Sequence, residues 1–146
     1  MSIIKITKQF SFEMAHALRN YDGLCKNIHG HSYKMDITLS GKPLSDENSP
    51  KNGMVMDFSD LKKLVNEKVI SIFDHSLVLN VKTDSHLIEN LKQNFEKVVI
   101  VDFQPTTENL LSFIAEKIEE GLPDNIKLNC VKLRETDTSY AEWCNE

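Results

Sequence analysis

Glycine and proline are scarce in this 146-residue chain, at five and four residues. No low-complexity tract, internal repeat or linker is visible, which leaves the profile of a globular domain. Cysteine is scarce too: three residues, an odd count at irregular spacing, disfavour a secreted disulfide framework and fit a reducing cytoplasm. Long apolar runs are missing, since stretches such as Val98 to Val101 fall far short of the roughly 20 residues that cross a bilayer. The start, Met1-Ser2-Ile3-Ile4-Lys5, lacks the charged end, apolar middle and cleavage site of a signal peptide. Basic runs are absent as well, and 17 Lys+Arg against 22 Asp+Glu give a net charge of −5, which argues against a general nucleic-acid binder. The expectation is one cytoplasmic domain over residues 1–146, with no membrane and no nucleic-acid partner. A chain of this length buries about 68–70% of its unfolded surface and needs no disulfide staples.

Alternation predicts a first strand over Ile3 to Met14, where Ile4, Ile6, Phe10, Phe12 and Met14 share parity. A second covers His31 to Ser40, with Tyr33, Met35, Ile37 and Leu39 on one face. Gly41 to Gly53, rich in Pro, Ser, Asp and Asn, reads as a long hairpin connection leading to a short strand at Met54 to Met56. Asp57 or Ser59 can cap a helix carrying Leu61, Leu64, Val65, Val69 and Ile72 at helical spacing. A short helix within Asp84 to Phe95, a strand at Val98 to Phe103 and a helix from Thr106 or Thr107 to Gly121 follow. Ile126 to Glu135 and Ser139 to Trp143 close the chain as strands. Runs of strands with helices between them indicate an α+β fold with a mostly antiparallel sheet.

The chemistry concentrates in two segments, Phe10 to His16 and Cys25 to His31. Side chains alternate along a strand, so His29 and His31 point the same way, and His16 shares the parity of Phe12 and Met14. If both strands stay regular, three imidazoles end core-facing rows. Any one of them alone is more simply a half-buried, hydrogen-bonded histidine. Together they can offer three nitrogens to one metal and leave a tetrahedral position open, the pattern of a catalytic zinc.

Cys25 lies four residues before His29. Near a zinc or an imidazolium it can act as base or nucleophile; a fourth metal ligand and an inert buried thiol are the other readings. Cys130 reads as strand packing, and Cys144, near the terminus, as incidental. Asp74-His75 can form a proton relay, or His75 can merely meet the negative end of the preceding helix. Glu108, in the first turn of the last helix, is explained by the helix dipole alone. Glu135 ends a strand, where a carboxylate can accept two parallel N–H bonds from a guanidine-like ring edge or form a surface ion pair.

Taken in order, Phe12-Glu13-Met14-Ala15-His16, Cys25 through Tyr33, Gly53 to Phe58, Phe73 to Asn80, Pro105 to Leu110 and Arg134-Glu135-Thr136 resemble the 6-pyruvoyltetrahydropterin synthase / 6-carboxytetrahydropterin synthase family. The resemblance covers nearly the whole chain. It implies that His16, His29 and His31 bind Zn2+, that Cys25 is the catalytic thiol, and that Asp74 and His75 are its proton-transfer partners. It implies that Glu135 anchors a pterin ring and that Thr106, Thr107 and Glu108 lie near the pocket. The spacing Cys-x3-His-Gly-His resembles the 6-carboxytetrahydropterin synthases of the queuosine pathway. These act on 7,8-dihydroneopterin triphosphate and release acetaldehyde and triphosphate. The alternatives are the pyruvoyl reaction on the same substrate and a non-catalytic zinc- and pterin-binding homologue. The implied fold is the tunnelling fold, a four-stranded antiparallel sheet with two main helices on one face. The implied assembly is a homohexamer, a dimer of trimers with sites between subunits. One departure stands out: Val81 to Gln104 is longer than the family's usual link, with an extra helix and strand that could alter the pocket rim or the assembly contacts.

Overall fold

The two long alternating segments fold as predicted and run further than their apolar pattern. In the computed structural model, which describes residues 2–146, β1 (Ile4–His16) and β2 (His29–Gly41) form one uninterrupted antiparallel ladder. The extension brings the histidines into that ladder: Met14 opposes His31 and His16 opposes His29. No bulge interrupts Ala15 or Gly30, so the parity argument holds and all three rings share the face of Phe12, Met14 and Tyr33.

The sheet is larger than expected. Among the described residues six strands run in the order β4-β3-β1-β2-β5-β6, with β3 at Ser76–Asn80, β4 at Val98–Val101, β5 at Lys127–Thr136 and β6 at Ser139–Cys144. The pairs among β1, β2, β5 and β6 are antiparallel, whereas β3 runs parallel to β1 and β4 parallel to β3. The expected four-stranded antiparallel sheet is therefore corrected to a mixed, six-stranded one. The physical source is the long Val81 to Gln104 segment, whose helix crosses over and returns β4 alongside β3.

The described residues hold three helical segments of two or more turns. Asp57 caps α1 (Phe58–Val65) by accepting from the Ser59 amide at 2.8 Å. That helix continues through a π-helical turn (Asn66–Ile70) into a final short turn, α2 (Ser71–Phe73). Asp84 caps α3 (Ser85–Asn94), and the Thr106 hydroxyl caps α4 (Thr107–Gly121) by accepting from the Asn109 amide at 3.2 Å. Leu61, Val65, Val69 and Phe73 from the first helical stretch meet Leu110, Ile114 and Ile118 of α4 over the apolar sheet face. Each such buried side chain contributes about 1.5–3 kcal/mol. In contrast, α3 buries none of its residues.

Gly41 to Gly53 is not a hairpin connection, and Met54 to Met56 does not form a strand. Leu44 and Gly53-Met54 instead close the loop's neck, with Leu44 N donating to Met54 O at 2.9 Å and Gly53 N to Leu44 O at 2.7 Å. Gly53 takes φ +85°, a turn conformation that favours glycine and leaves no ladder to continue. Among the described residues, no helix is long and apolar enough to cross a membrane.

Candidate metal centre

One ligand atom from each of His16, His29, His31 and Glu135 lies within 4.8 Å of the others. The strand ends explain the convergence. His29 and His31 end the core-facing row of β2, while Glu135 ends the matching row of β5 after Val131 and Leu133. A local irregularity in the β5–β6 ladder falls at Glu135, between Arg134 and Thr136, and frees it from direct pairing. Its Oε1 stands 3.0 Å from His31 Nε2 and 3.5 Å from His16 Nε2, while its Oε2 accepts from the Thr107 hydroxyl at 3.0 Å.

The main chain sets the proton positions. His16 Nδ1 lies 2.7 Å from the Pro105 carbonyl, and His29 Nδ1 lies 2.7 Å from the Asn27 carbonyl. A carbonyl only accepts, so each Nδ1 carries the proton and each neutral ring presents an Nε2 lone pair. Those two Nε2 atoms face each other at 3.1 Å. Two lone pairs at that distance repel unless a cation or a proton lies between them. His31 Nε2 is buried without hydrogen-bond geometry to any partner, despite its closeness to Glu135. This donor set fits a divalent metal that accepts imidazole nitrogen. Burial also lowers the His16 pKa; the Pro105 carbonyl pulls it up, the neighbouring His29 pulls it down, and Glu135 opposes.

The Pro105 carbonyl is itself braced. Gln104 donates to the Arg19 carbonyl at 2.8 Å and accepts from the Arg19 amide at 3.2 Å, while Asn109 donates to the Gln104 carbonyl at 2.9 Å. The sequence-based reading missed Gln104 and Asn109 because nothing in their spacing shows which carbonyl they support.

Other expected site residues divide by location. Cys25 sits half-buried in a single 3-10 turn (Leu24–Lys26), whose Cys25 carbonyl accepts from the Leu18 amide at 3.0 Å. Tyr33 is buried beneath the histidines, with ring centroids 5.6 Å from His31 and 6.4 Å from His16. Burial chiefly raises its phenol pKa, with Glu135 and Cys25 adding to the rise. Thr107 touches Glu135, Thr106 spends its hydroxyl on the α4 cap, and Glu108 is exposed in the first turn.

Asp74 and His75 form a pair of their own, with Nδ1 of His75 3.0 Å from Asp74 Oδ1. The Glu13 amide donates to that same Oδ1 at 2.9 Å, and His75 N donates to the Glu13 carbonyl at 2.6 Å. The Glu13 amide chiefly, with help from His75 and Lys97, holds the Asp74 carboxyl below its ordinary range. His75 adopts φ +59°, unusual for a non-glycine residue, and its side chain is 76% exposed. His75 borders a groove of about 1060 Å³ that His31, Glu13, Leu91 and Phe95 also line. Lys97, from the long Val81 to Gln104 segment, donates to the Asp74 carbonyl at 2.5 Å, so that segment reaches the pair.

The family model for 6-pyruvoyl tetrahydropterin synthase matches residues 5–146. A 6-carboxy-5,6,7,8-tetrahydropterin synthase of Haemophilus influenzae is 34% identical over 143 residues, covering 97% of this chain and 99% of the relative. One from Synechocystis is 34% identical over 139 residues, covering 94% and 91%. The structure of the Caenorhabditis elegans 6-pyruvoyl tetrahydropterin synthase superposes with a TM-score of 0.68 at 26% identity, covering 100% of this chain and 98% of that one. With the motifs, the sheet and the converging imidazoles in accord, the chain belongs to the 6-pyruvoyl tetrahydropterin synthase family.

Proposed function

We propose that the protein is a zinc-dependent lyase that converts 7,8-dihydroneopterin triphosphate to 6-carboxy-5,6,7,8-tetrahydropterin, releasing acetaldehyde and triphosphate. Two relatives named for that product, each 34% identical over most of both chains, support the product assignment. In this reading residues 1–146 act as one domain in the cytoplasm, on the route to queuosine and other 7-deazapurines. The working unit is a homohexamer, a dimer of trimers with pockets between subunits.

The observation that carries the reading is the pair of opposed Nε2 atoms of His16 and His29, 3.1 Å apart with both Nδ1 protons committed to carbonyls. His16, His29 and His31 hold the ion. When bound, zinc supplies Lewis-acid polarisation of the substrate's side-chain hydroxyls. Glu135 receives the paired N–H groups of the pterin edge, and Thr107 fixes the orientation of that carboxylate through its Oε2 contact. Thr106 and Glu108 shape the neighbouring wall.

Cys25 moves protons at the carbons beside the ring, and Asp74-His75 provides the complementary transfer. Asp74, kept ionised, holds the Nδ1 proton of His75 and leaves Nε2 of this exposed ring to exchange protons. Replacing Cys25 by Ala is expected to preserve zinc content and lower kcat by about 10²–10⁴-fold. Replacing His31 by Ala is expected to lower zinc occupancy. Full activity in the first variant, or unchanged metal in the second, would contradict the assigned roles.

A further inference from the structure

The β5–β6 hairpin carries a pair of thiols that the reaction does not use. Cys130 and Cys144 are directly opposed in its antiparallel register, and their Sγ atoms lie 3.2 Å apart. Opposed residues in such a ladder have Cα atoms about 4.5–5.5 Å apart, inside the range a disulfide spans, and both side chains leave the same face. Here that face is the one away from the core, because Cys130 alternates with the buried Val131 and Leu133.

We propose that Cys130 and Cys144 form a reversible oxidation site, a cross-strand dithiol that a small-molecule disulfide such as oxidised glutathione converts to an intramolecular disulfide. Cys144 is exposed, whereas Cys130 is half-buried. The Cys144 thiolate attacks one sulfur of the small disulfide, breaks its S–S bond and expels one thiolate. The Cys130 thiolate then attacks Cys144 Sγ in the mixed disulfide and expels the second. Two protein thiols lose two protons and two electrons, and one small disulfide becomes two small thiols. Burial and the adjoining Cys144 push the Cys130 thiol up to about 11, which leaves the first attack to the exposed Cys144. The bridge closes the hairpin that presents Glu135 and pins the C-terminal strand to the sheet.

The test uses the full-length protein with oxidised glutathione, followed by alkylation of free thiols and peptide mass spectrometry. The expected product is a Cys130–Cys144 cross-linked peptide with a loss of two hydrogens. It should revert on addition of reduced dithiol and raise the melting temperature by about 5–10 °C, as closure of a loop of about 15 residues predicts. Cys130→Ser should trap glutathione on Cys144 as a stable mixed disulfide. Alkylation of both Cys130 and Cys144 after oxidation would overturn the proposal. So would a Cys144–Cys144 link between chains, or wild-type protein that keeps glutathione on Cys144.

Discussion

His16 and His29 are directly opposed in the β1–β2 ladder, and their Nε2 atoms stand 3.1 Å apart while both Nδ1 atoms point at main-chain carbonyls. The arrangement is unfavourable for two neutral rings on their own and favourable around a cation. Zinc is therefore expected to stabilise the fold. At a free concentration 100 times Kd the gain is about 2.7 kcal/mol, and the melting temperature should rise by about 5–10 °C. His29→Ala should abolish that rise; thermal scans of both proteins with and without zinc check it.

Glu135 lies close enough to the histidines to act as a metal donor, yet one oxygen is held by Thr107. If it anchors the pterin, Glu135→Gln should raise KM at least about tenfold and leave zinc affinity within a factor of two or three, because the amide cannot accept both ring N–H groups. Metal content and steady-state kinetics on one preparation separate the roles. A parallel loss of zinc would make Glu135 a ligand instead.

The Asp74 carboxyl is held low by the Glu13 amide. A carboxylate with a depressed folded-state pKa stabilises the fold above its ordinary value of 3.8, and the gain is lost as pH falls through the lower folded-state value. Asp74→Asn should thus be less stable than wild type at pH 7, with the difference shrinking as pH drops below about 4. Urea unfolding of the metal-free proteins across that range measures it; a pH-independent difference would assign the loss to geometry rather than charge.

Ile114 on α4 is fully buried where that helix meets the sheet. Ile114→Ala should cost about 2–5 kcal/mol of unfolding free energy and leave zinc stoichiometry unchanged, since no metal-site residue depends on that side chain.

The legible and illegible parts of this molecule separate by range. Strand parity reads one chain segment at a time, and it placed His16, His29 and His31 on one face because neither Ala15 nor Gly30 breaks the ladder. The caps at Asp57 and Thr106 were readable for the same local reason. The approach of Glu135 to His31 depends on the offset between β2 and β5, which shifts at a bulge between Thr38 and Leu39 that no local pattern announces. The parallel pairing of β3 and β4 hangs on a crossover through α3, so a mixed sheet could not be read from alternation. The pairing of Cys130 with Cys144 was illegible for a related reason: the turn pair Thr136–Ser139 alone would set Asn145 against Cys130, and the irregularity at Glu135 shifts the ladder by one residue to oppose the two cysteines.

Turnover is the deciding measurement. The zinc-loaded protein is incubated with 7,8-dihydroneopterin triphosphate, and acetaldehyde and the pterin product are analysed by mass spectrometry. Acetaldehyde in step with 6-carboxy-5,6,7,8-tetrahydropterin is the expected result. A pyruvoyl pterin without acetaldehyde, or bound pterin without turnover, would contradict it.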